Sequence, residues 1–191
     1  MTAALLGFVF LGLFSPGPNV ILLTASGARF GFRATVPHIL GVALGVGITA
    51  GVTGLGIGAL LLARPGLTLM LKIAACAWIL WMARALWLSD PVDRDARARP
   101  FTLIEAVLFQ WVNPKVWAVA LAATAFVADL APGAKAVTLA LTFSALNLGV
   151  CLFWTSAGAL LARLLADPLR WRFFMRGMAL ALAAFSVLVF L

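Results

Sequence analysis

The sequence predicts an all-α polytopic membrane protein: six transmembrane helices in a 3+3 inverted repeat, with helices 1 and 4 broken at mid-membrane. Three observations predict it. The 191 residues are 64% hydrophobic and only 10% charged, where a soluble domain carries roughly a quarter charged residues. Mean hydropathy is +1.12, so the medium that accepts this surface is lipid. The apolar runs number six, and prolines interrupt two of them at matching places.

The six segments cover residues 3–26, 36–62, 67–88, 103–127, 134–161 and 173–191. At 1.5 Å per residue each roughly matches or exceeds a hydrocarbon core about 30 Å thick, some with tilt. The first is interrupted at residues 15–19 and the fourth at residues 113–115. The stretch "SDPVDRDARARP", residues 89–100, reads as the one conventional solvated loop, with mixed charge and Pro near each end. It divides the chain into a first repeat at 1–88, a charged cytoplasmic loop at 89–102 and a second repeat at 103–191. The N-terminus lacks a basic n-region, and its apolar run continues into the interrupted stretch. It reads as a retained helix rather than a cleaved signal.

Loop charge predicts the orientation. Arg29 and Arg33 follow segment one. Arg84, Arg94, Arg97 and Arg99 flank the end of segment three. Arg163, Arg170, Arg172 and Arg176 follow segment five. The alternate loops hold only Arg64 and Lys135. The ten basic residues belong on the cytoplasmic side, which puts both termini outside a bacterial inner membrane. Trp87 and Trp171 stand beside these clusters, where an aromatic belt is expected. Lys72 and Arg84 are near enough to segment ends to snorkel.

The net charge of +8 does not point to nucleic acid, because the cations are spread over short loops without a patch. Topology and anionic lipid account for them. Cys76 and Cys151 form neither a CxxC nor a metal spacing. No catalytic, metal or cofactor motif is read, and the chain is not expected to be an enzyme.

The two interruptions carry the functional reading. Pro114 lies 96 residues after Pro18, about half the chain. An odd number of helices per half inserts the halves in opposite directions. Inverted repeats with matched interruptions point to a midplane site in a secondary transporter. Proline removes an N–H and disfavours helix at the residue before it. Gly17 and Asn113 are therefore expected to be non-helical, with Pro18 and Pro114 opening fresh helices and Asn113 as an N-cap. Each restart aims free N–H groups and the positive end of a helix dipole at the midplane, where an anion can be received. A plain proline kink is the competing reading.

Lys115 sits deep in segment four, and no carboxylate lies at comparable depth. Three states stay open for it: neutral, bonded to unwound carbonyls, or held for the carboxylate of a substrate. On segment five, Ser144, Asn147, Cys151 and Trp154 share a face, which lines a cavity or joins helices. On segment two, Gly47, Gly51, Gly54 and Gly58 share one face and Gly41, Gly45 and Gly56 another. Both suit close packing, and a homodimer through them is possible. His38, at the inner mouth of segment two, is the one candidate for handling protons at ordinary pH.

The element Pro16, Gly17, Pro18, Asn19, the following "GFR" at residues 31–33, the glycine-rich second helix and Asn113, Pro114, Lys115 resemble the LysE/RhtB family of amino-acid exporters over the whole chain. The stretch "NLGVCLFWTSAG", residues 147–158, looks like the branch that exports cysteine and O-acetylserine. The resemblance implies efflux of amino acids or small derivatives across the inner membrane, driven by the proton gradient. It assigns Pro16, Gly17, Pro18, Asn19, Asn113, Pro114 and Lys115 as functional positions. The reading of segment five adds Asn147 as a further substrate contact. One departure stands out: many members carry Pro-Gln-Phe near the end of the helix after the NPK element, whereas here that region reads "ATAFVADLAPG".

Three functions are compatible with these residues. The leading one is a secondary exporter of a small amino acid, working by alternating access, with lipid as its surroundings. A channel or packing subunit is the second. The third, a thiol–disulfide electron carrier, needs cysteines beside the breaks, and Cys76 and Cys151 are far from both in sequence.

Overall fold

The computed structural model describes residues 3–57, 63–89 and 99–188. They form helices α1 (Ala3–Phe14), α2 (Pro18–Phe30), α3 (Phe32–Gly54), α4 (Pro65–Trp87), α5 (Leu103–Val112), α6 (Pro114–Ala123), α7 (Pro132–Leu164) and α8 (Pro168–Leu188). A single 3-10 turn, Thr124–Val127, extends α6. Among the described residues, α3, α4 and α7 are long and apolar enough to cross a membrane. Two bent pairs reach that length together: α1 with α2, bent by 57°, and α5 with α6 and its 3-10 turn, bent by 68°. Counting each pair as one crossing gives five. The segment expected at 173–191 corresponds to α8, which stands outside this set and carries Arg170, Arg172 and Arg176 in its opening turns. Residues 189–191 lie outside the described residues.

The local chemistry explains the helix starts. Pro18, Pro65, Pro114, Pro132 and Pro168 each sit at the first helical position, where a missing N–H costs nothing and φ is already helical. Thr102 caps α5 through a complete capping box. Its hydroxyl accepts from the Glu105 N–H at 3.2 Å, and its own N–H donates to Glu105 Oε2 at 2.8 Å. Asp167 Oδ1 accepts from the N–H groups of Leu169 and Arg170, both at 2.9 Å, and caps α8. Gly31, at φ 81°, makes the one-residue corner between α2 and α3, a backbone region that side chains disfavour.

Two apolar clusters hold the bundle. One joins α1, α3, α6 and α7 through Leu5, Val9, Val42, Val46, Ala120, Leu139 and Phe143. The other joins α2, α4, α5 and α8 through Ile21, Ile79, Met82, Phe109, Met175 and Leu182. Helix α3 packs most extensively on α7, and α4 packs on α8. Helix α2 also lies on α7, and α5 on α3. Leu11, Met70, Ile104 and Phe173 are each 67–70% exposed; such a belt is a liability in water and the ordinary surface of a lipid-facing protein.

Glycines set the close crossings. Gly41 meets Leu103 and Ala106, and Gly45 meets Val107 and Gln110, all on α5. Gly47, Gly51 and Gly54 meet Ser144, Ala140 and Ala136 on α7. Gly41, Gly45, Gly47, Gly51 and Gly54 thus each face a neighbouring helix of the same chain. Gly56 meets nothing, and Gly58 lies outside the described residues. The closest approach of backbone to backbone is at two glycines that the sequence does not mark. A Cβ on Gly27 of α2 would overlap the Thr155 carbonyl of α7, and a Cβ on Gly158 of α7 would overlap the Thr24 carbonyl of α2.

Several expectations need correction. Arg29 and Arg33 are not in a loop. They occupy the last turn of α2 and the first turn of α3, because a single glycine suffices to turn the chain. Likewise Arg163 ends α7, and Arg170, Arg172 and Arg176 lie in α8. Trp171 is buried in the second cluster rather than belted at the surface, while Trp87 is exposed under the Arg176 guanidinium at 5.1 Å. Residues 58–62 of the second expected segment lie outside the described residues. So do Arg94, Arg97 and most of the 89–102 loop.

Candidate functional site

The two breaks differ in length. The first unwinds Ser15, Pro16 and Gly17 between α1 and α2. Gly17 is fully extended there (φ 178°, ψ −179°). The second unwinds only Asn113, with φ −84° and ψ 102°. Gly17 and Asn113 are the two residues that proline was expected to force out of helix. Their neighbours meet at one place. Gly17, Asn19, Asn113, Lys115 and Asn147, with Leu13, Val20 and Val116, line a small cavity of about 10 Å³, room for about one water molecule.

Lys115 spans the two breaks. Its ammonium donates to the Ser15 carbonyl and, at 3.3 Å, to the Pro16 carbonyl. Its Cδ and Nζ lie 2.7 and 3.0 Å from where a Cβ on Gly17 would stand. Glycine at that position is what lets the lysine lie flat across the first break. Of the three states open for this lysine, the structure displays the one bonded to unwound carbonyls.

Gln110, fully buried on α5, ties the breaks together on the other side. Asn19 Nδ2 donates to Gln110 Oε1 at 2.8 Å, and Gln110 Nε2 returns a bond to Asn19 Oδ1 at 3.2 Å. Gln110 Nε2 also donates to the Ala106 carbonyl at 2.9 Å. Asn113 takes the N-cap position of α6 without making a side-chain cap. Its Nδ2 instead points to Gln110 Oε1 at 3.4 Å, a long contact and a weak one. Among the described residues, Asn113 Oδ1 and Asn147 Nδ2 are buried without a hydrogen-bond partner. Unmatched polar atoms of this kind are costly inside a protein. Here they are one acceptor and one donor, and both residues line the same cavity.

The remaining expected site residues fall around this core. Pro18 is buried and opens α2. Pro16 is exposed and contributes only its carbonyl. Pro114 opens α6 and faces away from the cavity. It lines a separate apolar groove of about 280 Å³ with Thr68, Lys72, Trp111 and Trp117. Trp117 Nε1 donates to the Trp111 carbonyl at 2.9 Å, satisfying one group that the second break leaves free. The stripe read on segment five divides. Ser144 donates to the Ala43 carbonyl at 3.1 Å and joins helices. Asn147 reaches the cavity. Cys151 is core, and Trp154 packs on Phe14 at 5.2 Å. Cys76 Sγ donates to the Ser186 carbonyl at 3.1 Å, so neither cysteine lines the cavity.

Gln110 is the site residue that the sequence reading missed. Its signal was present: an amide in an apolar run, three residues before Asn113 and so on the same helix face.

A sequence profile described as LysE type translocator matches residues 10–191, nearly the whole chain. The chain belongs to the LysE type translocator family. It is similar to the cysteine/O-acetylserine efflux proteins of Escherichia coli K12 and Shigella flexneri, at 27% identity over 165 residues, 82% of either chain. It is also 27% identical to the protein of that name from Salmonella typhimurium over 113 residues, and there the chain spans 56% of the relative's length. No solved structure matches it at a significant level.

Proposed function

We propose that this translocator is a secondary exporter that carries a small amino acid or amino-acid derivative out of the bacterial cytoplasm. It is driven by the proton gradient and works by alternating access around the cavity between the two breaks. The observation that carries the proposal is the convergence of Gly17, Asn19, Asn113, Lys115 and Asn147 on that cavity. A zwitterion complements it. The substrate carboxylate takes Lys115 and Asn147 Nδ2, and its ammonium takes Asn113 Oδ1 and the carbonyls that Lys115 now holds. Pro16, Pro18 and Pro114 act through the backbone they keep unwound. The names of the relatives favour cysteine and O-acetylserine as the substrates to try first.

The cavity is smaller than any amino acid, so binding requires the helices to part. The packing supports an inverted repeat that could do this. Helices α3 and α7, and α4 and α8, are counterparts that pack on each other. Contact of α2 with α7 is matched by α6 with α3, and α1 with α7 by α5 with α3. In this reading α8 is the sixth span, both termini face outside, and the halves rock about the fixed socket.

Counterflow in proteoliposomes tests the proposal. Labelled O-acetylserine should enter vesicles preloaded with unlabelled substrate, saturably. Lys115→Ala should slow it by about 10- to 100-fold, the worth of a hydrogen bond to a charged group. Non-saturable flux would mark a channel, and an unimpaired Lys115→Ala would remove the anchor.

A further inference from the structure

We infer that His38 is the side chain that binds and releases the coupling proton, and that Glu105 links its charge to the socket. This rests on the exporter reading above and names the residue that reading leaves unassigned. The chain has six acidic residues. Asp90, Asp93 and Asp95 lie in the charged stretch before α5. Asp129 follows the 3-10 turn, and Asp167 is occupied in capping α8. Glu105 is held by Arg99, at 2.6 and 2.8 Å, and by the Thr102 N–H. Among the described residues no carboxylate lines the cavity. Exchange of a proton during transport therefore falls to another group, and Lys115 is engaged in the socket itself.

His38 has the right chemistry, being the chain's single histidine and the side-chain type that changes charge near neutral pH. It is 2% exposed on α3, with its ring 5.0 Å from that of Phe101. Among the described residues neither ring nitrogen has a hydrogen-bond partner. One turn away Thr35 accepts or donates a bond with Ser26 at 3.0 Å and donates to the Gly31 carbonyl, so those polar groups are satisfied while the imidazole is not. The helices packed on α3 bring Arg29 from α2, Glu105 from α5, Lys115 from α6, and Lys135 and Arg163 from α7. Glu105 is the acidic member of that set, on the helix whose Leu103 and Ala106 lie against Gly41.

The structure suggests how that charge is felt. A protonated imidazole is a donor at both nitrogens and competes with Arg99 and the Thr102 N–H for the Glu105 carboxylate. The Thr102 bond is one half of the capping box that starts α5, and α5 carries Gln110 and leads to Asn113. Gly41, one turn beyond His38, lies directly on Leu103 and Ala106 of that helix. His38 is seven residues from Gly45, which abuts Gln110, or about 10 Å along the helix axis. Each cycle moves one proton from the outer solution, by way of the emptied socket when it opens outward, onto an imidazole nitrogen at the inner end of α3. The same proton passes to cytoplasmic water when the socket opens inward, and the substrate travels the other way.

Two assays on one preparation test this. Proteoliposomes of the wild type and of His38→Gln are assayed with labelled O-acetylserine and cysteine, first for counterflow without a gradient, then for accumulation under an imposed pH gradient. The expected result is counterflow near the wild-type rate in His38→Gln, with gradient-driven accumulation reduced to the level seen without a gradient. Accumulation that still follows the gradient in His38→Gln overturns the inference. So does loss of counterflow in both His38→Gln and His38→Asn, because the residue is then needed for movement itself. Wild-type counterflow without any response to the gradient refutes proton coupling, and this inference with it. Absence of both activities from the wild type refutes the exporter reading.

Discussion

The two breaks look alike in sequence and do different work. The first unwinds three residues and presents carbonyls, the acceptors for Lys115. The second unwinds one residue and presents side chains: Asn113 at the break itself, Lys115 two residues beyond, and Gln110 three residues before it. One break supplies backbone carbonyls and the other the Lys115 ammonium and two side-chain amides, and Lys115 closes the circuit between them. Similar proline motifs thus line one cavity with groups of different character, and the proposed zwitterion would match both.

That contrast can be broken from either side. The largest effect is expected from healing the one-residue break. Asn113→Ala with Pro114→Ala lets α5 run into α6, and counterflow should fall roughly a hundredfold, since misplacing a binding group by an ångström or so is this costly. Pro18→Ala should cost far less, because Pro16 and the extended Gly17 still hold the first break open. Equal losses from the two would mean that the breaks are equivalent. Next come the glycines that seat α2 on α7. Gly27→Ala and Gly158→Ala each force a methyl onto a carbonyl, an overpacking cost of about 1–3 kcal/mol readable as a lower melting temperature in detergent. The double variant should lose less than the sum, because both probe one crossing. Gly149→Ala, with open space around it, is the neutral comparison. Gln110→Leu leaves the Asn19 amide without its partner at a cost of about 1–3 kcal/mol, and Asn19→Leu with Gln110→Leu should recover part of it. The smallest effect is Thr102→Ala, about 1 kcal/mol for a lost cap, with counterflow nearly intact.

Much of this was legible in the sequence because it followed from local chemistry. Proline at residues 18 and 114 fixed where helices restart, and the residue before each proline left the helix as sterics require. Glycine spacing on α3 foretold two packing faces. What was hidden depended on tertiary detail. A single Gly31 absorbs what a loop was expected to do, so Arg29 and Arg33 became helical. Gly27 and Gly158 stand far apart in the chain, and nothing local marks them as touching. Gln110 needed the partner Asn19, 91 residues away, before its role could be seen. Asn113 has the right type for an N-cap, yet its amide turned to Gln110 instead.

The central claim is that the two breaks form one socket for a zwitterion, and competition tests it most directly. Counterflow of labelled O-acetylserine should be inhibited by an unlabelled amino acid, and far less by its methyl ester or by the matching acid without the amino group. Inhibition by the ester as strong as that by the amino acid would show that no carboxylate is read at Lys115, and would contradict the account.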